Sequence, residues 1–127
     1  MANPNIVNVT SIYGNTSYLI PTNSSVTTWT ALTPAVGTVN KLDSIVASNV
    51  TAVAVPVTVS INSAVSGGGT AYRIAYQINV PANASLIIVD KTTALYVGES
   101  QSIVVTVGTG NAIELTAAYE AITGPAT

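Results

Sequence analysis

Side chains that carry out acid, base or nucleophilic chemistry are scarce in this chain of 127 residues. It contains no His and no Cys, three Lys and Arg residues together, and five Asp and Glu residues together. A Ser-His-Asp triad therefore lacks its base. Thiolate metal sites and disulfides are excluded as well. Catalysis would have to use paired carboxylates, a lysine or a tyrosine.

The five carboxylates do not form a convincing catalytic pair. Glu114 and Glu120 share one face of a predicted strand, but six residues of extended chain separate them by about 20 Å. The two carboxyl groups of a glycosidase lie within about 10 Å of each other. Asp43, Asp90 and Glu99 would meet only through tertiary structure, and we interpret each as a solvated residue of a turn or strand. We assign no catalytic residue and expect no enzyme activity.

No cofactor or metal site is predicted either. The chain has no acidic loop with the spacing of an EF-hand. Gly67-Gly68-Gly69 lacks the Lys-Ser/Thr pair and the helix that follow a phosphate-binding loop, so we interpret it as a hairpin tip. Trp29 is the strongest candidate for stacking a sugar ring. We favour instead a place in the core or in a subunit interface, where a large apolar ring with one donor is useful.

The elements that would position these residues are strands, because hydrophobic residues recur with a period of two. Residues 53–61 and 72–80 alternate in this way and should pair, with Tyr72 and Tyr76 on the face expected in the core. Pro56 cannot donate a ladder hydrogen bond, so its strand should lie at an edge or carry a bulge there. The other predicted strands are residues 6–13, 17–20, 26–32, 39–47, 86–89 (buried on both faces), 94–97, 103–107 and 113–121.

These short strands with hairpin-length connections predict an all-β fold. We expect a single antiparallel β-sandwich of jelly-roll or immunoglobulin-like type, between which the strand pattern does not choose. The length suits one domain. We expect residues 1–13 to form an N-terminal arm or edge strand and residues 14–127 to form the sandwich.

The composition predicts a protein that associates. Charged residues make up 6% of the chain, the net charge is −2 and the mean hydropathy is +0.52, so copies repel one another weakly. Lys41, Arg73 and Lys91 are isolated, which argues against binding nucleic acid. The first residues do not resemble a secretory signal, and no apolar run is long enough for a membrane helix. We expect synthesis in a cytoplasm, no membrane partner and a homo-oligomeric state.

Four segments resemble small β-rich virion structural proteins of tailed bacteriophages, cyanophages in particular. They are residues 2–14 (ANPNIVNVTSIYG), 71–75 (AYRIA), 80–86 (VPANASL) and 96–103 (YVGESQSI). The resemblance covers most of the chain and consists of strand and turn patterns. It implies a place on the virion, most specifically as a capsid decoration or cement protein on the outer face of the head.

In that role the expected partners are the major capsid protein and further copies of this chain. A trimer is favoured because it matches the local threefold positions of an icosahedral capsid lattice. The alternatives are a neck, tail or fibre component, or a carbohydrate-binding adhesin module. Apolar residues close to the N-terminus would form an interaction arm. The predicted interface residues are Ile6, Val7, Val9, Ile12, Tyr13 and Trp29.

Overall fold

The computed structural model of the chain describes residues 9–93 and 95–124. These residues form nine strands and three single-turn 3-10 helices, with no α-helix among them. The strands are β1 (Ser11–Leu19), β2 (Thr27–Thr28), β3 (Thr38–Asn49), β4 (Val55–Asn62), β5 (Ala71–Val80), β6 (Ser85–Val89), β7 (Leu95–Val97), β8 (Ser102–Val107) and β9 (Ile113–Thr123). The 3-10 helices are Thr30–Leu32, Val65–Gly67 and Lys91–Thr93.

The strands pair in a nested order, in which early strands meet late ones. β1 pairs with β9, β2 with β8, β3 with β6 and β7, and β4 with β5, all antiparallel. The first sheet has the order β1-β9-β3-β6, with β7 beside β3, and the second has the order β2-β8-β4-β5. This nested pairing is that of a jelly roll. The predicted all-β antiparallel sandwich is confirmed, with the jelly-roll topology.

The core lies between the two sheets and is almost entirely aliphatic. Val55, Val57 and Val59 alternate inward along β4 as predicted and are buried. Trp29 lies among them with 1% of its surface exposed, and its indole nitrogen donates a hydrogen bond to the Ser17 hydroxyl at 3.0 Å. Of the two places expected for Trp29, the structure shows the core. Its assignment to an interface is therefore corrected, because the ring has no free face.

Strand β5 departs from the predicted alternation. A step of two residues along β4, from Val57 to Val59, spans a step of three residues along β5, from Ile78 to Ala75. The next residue of β4, Ser60, then faces Arg73, two residues further along β5. β5 therefore has one extra residue, a bulge, at each of these two places. Each bulge moves the following side chains to the opposite face.

The prediction that Tyr72 and Tyr76 lie in the core is wrong, since they are 61% and 58% exposed. The bulges account for Tyr76, which follows Ala75 opposite the buried Val59. Tyr72 lies opposite the partly buried Ile61 at the start of the edge strand.

Pro56 lies in a central strand, between β5 and β8, and not at an edge. The prediction of an edge is wrong, although a register shift does occur nearby, between Val57 and Val59. Pro56 is tolerated because β8 ends at Val107, opposite Val57. Beyond that end, the Gly108 amide donates to the Pro56 carbonyl at 2.9 Å. A β-carbon on Gly108 would lie 2.7 Å from the proline ring, so only glycine fits there.

Three further segments differ from their predictions. The Gly14-Asn15 pair was expected to separate two strands, yet β1 passes through it without interruption. The segment 86–89 was expected to be buried on both faces, but β6 is an edge strand on which Ile87 is exposed. The strand predicted over 26–32 is only the two residues of β2, followed by a 3-10 turn.

The two outer faces of the sandwich are different. A loop over residues 63–70 covers the outer face of the second sheet, where Gly67 donates to the Ser102 hydroxyl at 3.0 Å and accepts from the Asn62 amide at 2.9 Å. Gly67 has a φ of +77°, and a β-carbon there would lie 2.7 Å from the Thr28 hydroxyl. The outer face of the first sheet exposes Thr16 and Tyr18 to solvent.

Candidate assembly surface

Three of the acidic residues considered as catalytic candidates, Asp43, Glu99 and Asp90, have separate partners. Asp43 lies 4.0 Å from the Lys41 ammonium on the same strand. Glu99 accepts a hydrogen bond from the Gly37 amide at 2.9 Å, while its second oxygen is buried without a partner. Within residues 9–93 and 95–124, no group of three or more His, Cys, Asp and Glu residues is placed to hold a metal ion.

Asp90 organises the turn after β6. Its carboxylate accepts hydrogen bonds from the Thr92 hydroxyl at 2.6 Å, the Thr92 amide at 3.0 Å and the Thr93 amide at 3.2 Å. The Thr92 hydroxyl contributes most to holding the pKa of Asp90 below its usual value, because these bonds stabilise the ionised carboxylate. The residue therefore caps a 3-10 turn, as its interpretation as a turn carboxylate implies.

Two shallow surface grooves offer no charged group to a ligand. One, of about 200 Å³, lies beside Pro56 and Gln77, and the other, of about 210 Å³, lies beside Asn15 and Tyr119. Neither is lined by an acidic or basic side chain. Among the described residues no helix has the length and hydrophobicity to span a bilayer.

Strand β1 is the surface feature that favours association. All nine of its residues pair with β9 in an unbroken register, from Ser11 opposite Thr123 to Leu19 opposite Leu115. No described residue pairs with its other side. The backbone amides and carbonyls that face away from β9 are therefore free to bind another strand.

The side chains of β1 alternate between the two faces of the first sheet. Ser17 points inward, since its hydroxyl accepts the hydrogen bond from the Trp29 indole, and Tyr13 lies on the same inward row. Ile12 and Tyr18 lie on the outer row and are 56% and 75% exposed. The strand thus presents apolar surface beside its unpaired backbone edge.

The remaining edge strands of the described fold are protected from pairing with another chain. β5 has ten residues but two bulges and the positive charge of Arg73. β6 and β7 have five and three residues, and β2 has two. Bulges, charges and short length all discourage edge-to-edge contact. β1 has none of these features: its sequence, SIYGNTSYL, is uncharged and contains no proline.

The predicted interface residues are only partly brought together by the fold. Ile12 and Tyr13 lie on β1 and are exposed, and Val9 precedes the strand and is half-buried. Ile6 and Val7 lie outside the described residues. Tyr18 was missed, although the alternation of Ser17 and Leu19 toward the core would have placed it outward.

No family model and no curated protein matches this chain. The fold resembles solved structures. It matches a chain of the T13 particle of infectious bursal disease virus with a TM-score of 0.51 and 12% identity, over 90% of this chain and 31% of the viral one. It also matches a chain of the Bacillus endospore appendages, which are disulfide-linked pili, with a TM-score of 0.50 and 13% identity, over 90% and 88% of the two chains. This chain thus spans less than a third of the viral chain. Identities this low show the fold alone, and that fold occurs in a chain of a viral particle and in a chain of a pilus.

Proposed function

We propose that this chain is a virion structural protein and that it acts by assembly and not by catalysis. The observation that carries the proposal is β1, a long, regular and uncharged edge strand that exposes its own Ile12 and Tyr18. In a free monomer such an edge would promote aggregation through edge-to-edge pairing. Its presence in this chain is explained if a specific partner covers it. The jelly-roll fold shared with a chain of a viral particle supports this role.

More specifically, we propose a capsid decoration or cement protein on the outer face of a phage head. This assignment rests on the resemblance of the N-terminal and central segments to virion proteins of tailed phages. Its partners would be the major capsid protein and further copies of this chain, with a trimer as the favoured oligomer. The arm assigned to residues 1–13 would include the first three residues of β1, which begins at Ser11, and would carry part of the contact.

A fibre or tail component is the second candidate, favoured by the fold shared with a pilus subunit. Disulfide links between copies are not available to this chain, which has no Cys. Copies would have to be joined by strand pairing and by buried side chains. The adhesin alternative loses its strongest residue, because the ring of Trp29 is in the core and cannot stack on a sugar.

The test is the position of the protein on the particle. Antibody labelling or a reconstruction of the virion should show it in hundreds of copies on the head, and heads that lack it should break open at a lower temperature. Few copies, confined to the tail, would replace the cement role with the fibre role. Absence from purified particles would refute a virion role altogether.

A further inference from the structure

We infer that β1 pairs with β1 of a second copy of this chain, antiparallel and about a two-fold axis, so that two first sheets become one continuous sheet. The inference deepens the proposed function, on which it rests, by naming the partner that the free edge binds. It follows from the sequence and register of β1, the one long edge in the described fold without bulge or charge.

The strand is complementary to itself when the axis passes through Asn15. Ile12 of each copy then faces Tyr18 of the other, Gly14 faces Thr16, and all nine residues of the strand are paired. A shift of the axis to Gly14 or Thr16 would leave two residues of each strand unpaired. An aliphatic residue opposite an aromatic one is a favourable cross-strand pair, and the symmetry supplies this pair twice.

The charges around the strand also suit a second copy. β1 itself carries none, so self-pairing opposes no like charges. The nearest acidic residue in the register is Glu120, opposite Gly14 on β9. In the proposed pair, the same row continues through Thr16 and Ala118 of the second copy, which are uncharged. The two copies of Glu120 therefore lie in different rows.

The proposed pair also keeps the two faces of the sandwich distinct. Residues that face each other have the same parity, so the outer row of one β1 continues into the outer row of the other. Ile12 and Tyr18 of the two copies would form two apolar pairs on that side, about 20 Å apart along the strands. A two-fold joint does not itself make a trimer, and in a lattice it would connect trimers that another surface holds together.

The absence of Cys from the natural chain permits a direct test. In Asn15→Cys, the two thiols would lie across the axis, where the Cα atoms of facing residues are about 4.5–5.5 Å apart, within the range of a disulfide. Mild oxidation of the purified protein at micromolar concentration should give a covalent dimer. Ser24→Cys, in an exposed bend away from β1, is the matched control and should remain largely monomeric.

A second variant tests the same β1–β1 contact without covalent cross-linking. Thr16→Lys places a charge on the outer row of β1 and should weaken self-association at least tenfold in sedimentation experiments. Thr116→Lys adds the same charge to the same outer face but on β9, away from the free edge, and should leave association unchanged. Trp29 fluorescence and circular dichroism check that both variants are folded.

The outcomes separate this inference from the proposed function. Oligomers that persist in Thr16→Lys, with no more cross-linking at residue 15 than at residue 24, would overturn the β1 joint and leave the virion role intact. Monomers without cross-linking at residue 15 would overturn it as well. Absence of the protein from particles would refute the proposed function, whatever the cross-linking shows.

Discussion

The hydrogen bond between the Trp29 indole and the Ser17 hydroxyl fixes β1 to the core, and its removal has a calculable cost. The two atoms are 3.0 Å apart and both residues are buried. In Ser17→Ala the indole N–H keeps no partner in the protein, and such a buried donor costs about 1–3 kcal/mol. A domain of this kind is stable by about 5–15 kcal/mol, so we expect an easily measured loss.

Urea unfolding followed by the fluorescence of Trp29, the only tryptophan in the chain, is the suitable assay. Thr16→Ala is the matched control, because Thr16 is exposed on the opposite face of the same strand. The free energy of unfolding of this control should change by less than about 0.5 kcal/mol. Equal effects of the two substitutions would refute the reasoning. In a Trp29→Phe background, followed by circular dichroism, Ser17→Ala should cost less than in the natural chain, since no indole donor remains.

Two further predictions concern parts of the fold away from β1. Gly108→Ala should lower the free energy of unfolding by about 1–3 kcal/mol, because the added carbon would meet the Pro56 ring at 2.7 Å. Gly14→Ala, which has open space around it, serves as the control, and equal stabilities in thermal unfolding would contradict the packing argument. Thr92→Val should raise the pKa of Asp90 toward its usual value, as measured by NMR titration of the carboxyl carbon, and an unchanged pKa would show that the hydroxyl is not its main cause. Since this pKa is lower in the folded state, the turn stabilises the protein above the unfolded-state pKa. The variant should lose the hydroxyl's part of that contribution, because the amides of residues 92 and 93 still bind the carboxylate; the natural chain loses the whole contribution as the pH falls through the lowered value.

The sequence was sufficient to place several of the long strands. β3, β4, β8 and β9 lie within a few residues of their predicted bounds, and the pairing of β4 with β5 is confirmed. The period-two pattern is reliable in β4 and in the first half of β9 because one face of each is buried.

The failures have physical causes that a single sequence does not reveal. The bulges of β5 depend on its pairing with β4, and they turn Tyr76 away from the core, so its predicted place there is wrong. Tyr72 is exposed because β5 is an edge strand, which depends on the sheet order. A proline such as Pro56 indicates an edge strand, except where the neighbouring strand ends beside the proline. Here β8 ends beside Pro56, and where β8 ends is set by the tertiary fold. The free edge of β1 is likewise set by the sheet order, although the sequence alone predicts Ile12 and Tyr13 as interface residues.

The loop over residues 63–70, which the Gly67–Ser102 hydrogen bond holds in place, makes the two outer surfaces of the sandwich different. One outer surface is a glycine-containing loop, and the other is a bare sheet with Thr16 and Tyr18. In a pair joined through β1, both subunits turn the bare sheet to the same side. A layer of such pairs would therefore have unlike sides, and a particle surface that binds one of them would fix the orientation of every subunit.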